Sequence, residues 1–521
     1  VIQSENISSR LLARNSIYNV LGQASPLLVA LLVLPFIVRG LGSERFGIFS
    51  LAWVILGYFG VFDLGLGRAT TKYAAEALAK RRLNDVGTIV WTSATIQFFL
   101  GVFGAVLLIV FTPILVERIL TVAPSLITEA KETFYLLALS VPLMLVSTSL
   151  IGALEARQRF DLVNLIRIPS ALAVYILSLA GVLLELQLPA IVLLIVLLRV
   201  AALLVLLLLN LHVCPELRKF STSLHMLRTM ITYGGWISVS NLVSPVITYF
   251  DRFLIGSVVS ISAVSYYAAP YEFASKLLVV PTAVVGVLFP AFSTFSATGK
   301  TERLQRSLSL SLKYLVALMT PLTAILLIFA EDILRIWLGG EFARAGGLVF
   351  SILLIAVWLN AIGYVPFALM QAIGRPDVAA KYMVIELPIY IAVTSVLVLK
   401  LGITGAALAW CLRMLWTIPV FLLICLRIAR MRVRAILGRD VLRGLAISAV
   451  MIFSCFVAPL VMRWNNVSDQ LVSVGVALLI VLAYIFLTWR YAFDSEDHGT
   501  IRAVLHDLSP SLLPKQISRH V

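Results

Sequence analysis

Charge is scarce in this chain, and where it occurs it is uneven. Only 13% of the 521 residues are Asp, Glu, Lys or Arg, while 61% are hydrophobic. Mean hydropathy is +1.02, which excludes an ordinary soluble domain and leaves a chain built largely of bilayer-length apolar runs. Cysteine is also scarce. Cys214, Cys411, Cys425 and Cys455 are scattered, three of them within apolar runs. They have neither C-x-x-C nor metal-ligand spacing, so they are read as small core hydrophobes and no metal site is expected. The five histidines lie in hydrophilic segments without an H-E-x-x-H pattern, and there is no G-x-x-x-x-G-K-[ST] loop, so no ATPase, enzyme activity or cofactor is expected. Gly65 and Gly67 form no nucleotide loop, because no strand precedes them. The first apolar run has no small-residue cleavage site and reads as a full span.

The apolar material divides into fourteen candidate spans: 15–39, 46–66, 86–111, 133–154, 163–184, 188–210, 230–256, 263–292, 308–330, 346–370, 380–399, 402–426, 442–461 and 470–490. A net charge of +15 could suggest nucleic acid, but the cations sit in short loops, where membrane topology accounts for them and no nucleic-acid partner is expected. With the N-terminus cytoplasmic, one side of the membrane collects 28 of the 41 lysines and arginines and the other holds eight. That asymmetry places both termini in the cytoplasm. The arginine-rich stretch from Arg427 to Arg443 reads as part of this signal, although anionic lipid headgroups are an alternative partner.

The chain also repeats itself. Ser25-Pro26 matches Ser244-Pro245, residues 42–52 lie over 261–271, Pro169 matches Pro388, and the LLR ending at Arg199 lies over the CLR ending at Arg413. Six spans return the chain to its starting side, so the halves should be parallel repeats. The expected fold is an all-α integral membrane protein of about fourteen transmembrane helices, with two parallel-related six-helix bundles around a central cavity and an accessory pair. The implied divisions are a cytoplasmic segment 1–14, a first bundle 15–211, a linker 212–229, a second bundle 230–428, a basic linker 429–441, helices thirteen and fourteen at 442–490 and a tail 491–521.

Charges inside spans are costly and usually face a bundle interior. Arg199 stands near the middle of LPAIVLLIVLLRVAALLVLLLL (188–209), and Arg413 holds the equivalent place in span twelve. Together they suggest a cationic patch for substrate; the competing reading is that each pairs with a carboxylate or carbonyls and only ties helices together. Arg252 and Lys276 are further candidate substrate contacts, as is Arg68 at the end of span two. Asp251, Glu272 and Asp63 are candidate sites for a coupling proton or sodium ion, with an internal ion-pair network as the alternative. Glu272 and Lys276 are four apart and share a helical face. Arg167 and Glu386 stand two residues before the matching prolines.

LG-x-E-x-[FY]-G at 41–47, FDLGLGRA at 62–69, GRPD at 374–377 and ITGAALAW at 403–410 give the chain its resemblance. Over about residues 10–490 it resembles bacterial oligosaccharide flippases, the polysaccharide-transporter (Wzx-type) branch of the multidrug/oligosaccharidyl-lipid/polysaccharide exporter superfamily. The resemblance implies two six-helix bundles in a V around a central, often cationic cavity. It also implies transport of undecaprenyl-diphosphate-linked oligosaccharide, driven by cation antiport, for O-antigen, capsule or exopolysaccharide assembly, with contacts to membrane lipids and to glycan polymerase machinery. The diphosphate would give Arg199 and Arg413 an anion suited to guanidinium forks. Within the superfamily the alternatives are a peptidoglycan lipid-precursor flippase and a multidrug exporter. A membrane glycan polymerase or ligase is a more distant one, since no large outer loop is present.

Overall fold

The computed structural model describes the backbone of residues 9–464 and 470–494. Among them every regular element is a helix, and all fourteen predicted spans fall on helix. Nine described helices are long and apolar enough to cross a membrane. The predicted tail beyond residue 494 lies outside the described residues.

The chain forms two compact units, Val1–Val279 with Leu334–Leu353 and Pro376–Arg413, and Val280–Ile333 with Leu354–Arg375 and Met414–Val521. The first contains α1 (Ser9–Phe59), α2 (Leu66–Ala79), α3 (Leu83–Ile114), α4 (Ile127–Ala138), α5 (Ser140–Ala156), α6 (Phe160–Leu183), α7 (Leu188–Val213), α8 (Leu224–Val258) and α9 (Ile261–Lys276). In the second, α10 (Val279–Ala297) is followed by α11 (Thr301–Ile328). Next come α12 (Ala330–Trp337), α13 (Gly340–Ala372) and α14 (Pro376–Ile428), each with residues in the first unit. The chain closes with α15 (Val433–Ile436), α16 (Arg439–Trp464) and α17 (Gln470–Leu487).

Span one and span two as far as Phe59 are continuous helix except at Gly42 (φ 74°), with a short 3-10 turn, Gly60–Asp63, following, and spans eleven and twelve are continuous except at Gly402 (φ 58°). Left-handed φ is open to glycine at little steric cost, so each glycine turns a long helix back on itself. Predicted span eight is instead two helices, parted at Leu277 and Leu278. Pro281 lacks the N–H that would bond the Leu277 carbonyl, which favours a break there.

Helix α7 shows how faces are assigned. Leu188, Ile191, Val192, Ile195 and Val196 are buried, whereas Leu193, Leu197, Leu204 and Leu208 are exposed. An exposed stripe of leucine on a helix this apolar is the bilayer face. Residues that the charge count assigns to one side converge at one end of the first unit. Arg45 pairs with Glu129 at 2.8 Å, the same carboxylate accepts the Leu188 N–H at 3.1 Å, and the Ser265 hydroxyl donates to the Ser43 carbonyl. At the other end, Arg157 pairs with Glu216 at 2.7 Å. In the second unit the accessory helices lie on α11, where Tyr484 and Ser448 hydroxyls meet at 3.2 Å.

The four cysteines are free thiols, three buried and Cys411 half-buried.

Candidate functional site

The LGSERFG motif builds one wall of a cavity. Gly42 makes the turn, Arg45 anchors it to Glu129, and Phe46 and Phe49 point inward one turn later. Gly47 lets α9 approach so closely that a Cβ would lie 2.1 Å from the Ile261 carbonyl. With α6, α8 and α9, α1 encloses about 360 Å³ within the first unit, lined by Ser50, Trp53, Tyr175, Arg252, Glu272 and Lys276 among others.

Three of the predicted site residues therefore meet in one place. Glu272 is shared between two cations: its Oε2 lies 3.1 Å from Lys276 Nζ and its Oε1 3.7 Å from Arg252 Nη2. The cluster carries two positive charges against one negative. Arg252 is buried, its guanidinium 4.3 Å from the centre of the Tyr271 ring. Its Nε and Nη2 have no hydrogen-bond partner among the described residues. These two atoms form the side-on edge with which arginine binds a carboxylate or phosphate in bidentate fashion. Apart from the 3.7 Å ion-pair approach of Nη2 to Glu272, that edge makes no hydrogen bond among the described residues, and an anion placed against it would supply the missing acceptors. Asp251, its neighbour, is also buried, but it accepts the Tyr267 hydroxyl and the Arg252 N–H at 2.7 Å, and does not line the cavity.

The two mid-span arginines occupy matching positions. Arg199 is eleven residues beyond the start of α7 and Arg413 eleven beyond Gly402, about 16 Å along each helix and near half the depth of a ~30 Å hydrocarbon core. Trp53 is likewise eleven residues beyond Gly42, and Glu272 eleven beyond the start of α9. The surroundings differ. Arg413 forms a buried ion pair with Glu386, Nε to Oε1 at 3.1 Å, and lies 5.1 Å from the centre of the Tyr390 ring. Arg199 lies over Trp53 at 5.4 Å and has no ion pair with a carboxylate among the described residues. Neither lines the cavity directly, but Arg199 backs the tryptophan that does.

Asp63 and Arg68 lie elsewhere. Asp63 Oδ1 accepts from Thr148 Oγ1 at 2.8 Å, from Gly67 N at 3.2 Å and from Gln97 Nε2, which ties the start of α2 to α3 and α5. Arg68 is exposed on α2. Arg167 comes within 3.8 Å of Glu155, so Arg167 and Glu386, which hold matching positions, have different partners.

The aromatic lining was not foreseen from sequence. Trp53, Tyr175, Phe273 and Trp337 line the cavity, but in an apolar span an aromatic residue looks like any other hydrophobe. The available signal was Trp53, at the same distance from its turn as Arg199 and Glu272 are from theirs.

Several known proteins are similar to this chain. The chain is 29% identical over 410 residues to a Shigella flexneri protein assigned as an O-antigen transporter, covering 77% of this chain and 94% of that one. Two solved structures have the same fold at low identity. One is the inward-facing conformation of a multidrug resistance MATE family transporter of the MOP superfamily (15% identity, 77% of this chain and 94% of that chain, TM-score 0.69). The other is the Lipid II flippase MurJ in an inward closed conformation (14% identity, 90% and 98%, TM-score 0.67). Residues 12–296 match the family model described as polysaccharide biosynthesis protein, more than half of the chain, and the chain is a multi-pass membrane transporter-fold member of that family.

Proposed function

We propose that this chain is a flippase that carries undecaprenyl-diphosphate-linked oligosaccharide across the bacterial cytoplasmic membrane, with both termini cytoplasmic. The product would serve O-antigen, capsule or exopolysaccharide assembly, alongside glycan polymerase machinery. The observation that carries this reading is the side-on edge of Arg252, which makes no hydrogen bond among the described residues, in a cavity that also presents Lys276 and six aromatic rings. An anion bridged to sugar suits such a lining, because guanidinium and ammonium take the anion while aromatic faces take the apolar faces of sugar rings.

In this reading Arg252 and Lys276 contact substrate, and Arg199 adds positive potential from behind Trp53. Arg413, neutralised by Glu386, holds α14 in place, and Arg68 on exposed α2 meets the anionic group at entry. Alternating access would move the repeat halves 15–211 and 230–428 as bodies around the substrate. Asp251 and Glu272 are the candidates for coupling to a proton or sodium ion, and Asp63 serves as an anchor for α2. Deleting the gene should leave lipid-linked oligosaccharide on the cytoplasmic leaflet, measured by glycan analysis of extracted lipid and by the loss of surface polysaccharide.

The likeness to the Lipid II flippase, which extends over 90% of this chain, favours a second reading as a peptidoglycan-precursor flippase. The same deletion separates the two, because that reading requires a peptidoglycan precursor to accumulate.

A further inference from the structure

Pro35 interrupts the hydrogen bonding of α1. In an α-helix the Leu31 carbonyl would accept from the N–H four residues on, and that residue is Pro35, which has none. Inside a membrane a carbonyl left in that state must find another donor. Its donor comes from far along the chain: Trp337 Nε1 donates to Leu31 O at 2.7 Å.

Trp337 ends α12, the short helix between α11 and α13. One side of α12 is buried through Leu334, while Ile336 on the other is 78% exposed. Gly339, at φ 104°, follows after Leu338 and closes off the helix. Arg39, eight residues after Leu31 and so close to the same face of α1, donates through Nη2 to the Ile336 carbonyl at 3.0 Å and the Trp337 carbonyl at 3.2 Å. It thus satisfies the carbonyls that the end of α12 leaves free. The indole packs edge-on against Phe273, the centroids 5.3 Å apart and the planes at 78°, and forms part of the cavity lining. A short helix is therefore fastened to α1 on both sides of Pro35, with its terminal side chain in the wall beside Glu272 and Lys276.

We propose that Trp337 is a latch for the cavity on its Gly42 side, which is the outer side in the orientation proposed above. The Pro35-freed carbonyl of Leu31 is its catch. The acceptor has two ways to be satisfied. It takes the indole N–H when the latch is closed, and water or a sugar hydroxyl when α12 swings away. The latch contributes no charge; it couples exposure of Arg252 and Lys276 to the outside to an exchangeable hydrogen bond. The sugar-hydroxyl part of the proposal rests on the flippase reading, whereas the latch itself does not.

The test is solvent access to Ser50, which lines the cavity. Ser50→Cys is placed in a protein whose four native cysteines are replaced by alanine, and a membrane-impermeant maleimide is applied from each side in oriented vesicles. Two chemically opposite changes should act alike. Trp337→Phe keeps the ring but removes the donor, and Pro35→Ala restores the missing N–H to α1 and so satisfies the catch within the helix. Each should raise labelling from the Gly42 side by roughly tenfold, the shift expected from losing about one net hydrogen bond, with no change from the other side. Labelling at the parent rate in either variant overturns the latch. So does a rise from both sides alike, which would report loosened packing. Because labelling is read without substrate, an unlatched cavity in a chain that moves no glycan would support the latch and remove the flippase reading. Unchanged labelling in a competent flippase would do the reverse.

Discussion

Arg199 and Arg413 hold matching positions, eleven residues beyond the start of α7 and eleven beyond Gly402, and the chain treats them differently. Arg413 faces Glu386 at 3.1 Å, and the carboxylate side chain is only 2% exposed. Arg199 has the face of Trp53. Near mid-membrane both charges need company, and the choice of company decides what each can do. A carboxylate cancels the charge and fixes two stretches of α14 on either side of Gly402 against each other. An aromatic ring stabilises the cation but leaves its charge intact, so the field of Arg199 still reaches the cavity that Trp53 lines. Distance along the helix thus sets the depth of a residue, and its neighbours set its role.

The largest expected effect comes from breaking the Arg413 pair. Removing one member strands a buried charge, a loss of about 3–5 kcal/mol. Arg413→Ala or Glu386→Gln should therefore lower abundance and the detergent-solubilised melting temperature together. Arg413→Met with Glu386→Leu, which removes both charges and keeps the bulk, should restore much of the loss. Failure of the double variant to recover any stability would show that the pair does more than hold α14. The smaller effect is at Arg199. Arg199→Ala should leave abundance near wild type while slowing glycan export, and Arg199→Lys, which keeps the charge over Trp53, should recover most of the rate. A cation–π contact worth about 0.5–2 kcal/mol sets the scale of any stability change. If Arg199→Ala instead lost abundance in step with export, the contrast between the two arginines would collapse.

Much of this was legible in the sequence, for physical reasons. Spans are visible because a bilayer demands about twenty apolar residues of each helix, and Arg252, Glu272 and Lys276 stand out because charge is rare there. Gly42 lies between spans one and two, and Gly402 is the first residue of span twelve. The partner of Arg413 was not legible. Glu386 is 27 positions away on the far side of Gly402, and the repeat pointed to Arg167 as its counterpart instead. Nor was α12, whose eight residues mix Glu331, Asp332 and Arg335 with apolar side chains and read as loop between two spans. The Trp337–Leu31 bond spans 306 positions; Pro35 announces that a carbonyl is free but not what fills it.

In the function proposed above, the edge of Arg252 grips the anionic part of a lipid-linked glycan. Arg252→Lys keeps the positive charge and removes the planar edge, so it separates geometry from charge at one position. The decisive measurement is the leaflet distribution of lipid-linked oligosaccharide in cells that carry this variant at wild-type abundance. Lipid-linked oligosaccharide should accumulate on the cytoplasmic leaflet, with export reduced at least about tenfold, as loss of one bidentate charge-assisted contact implies. Wild-type export by Arg252→Lys would contradict it.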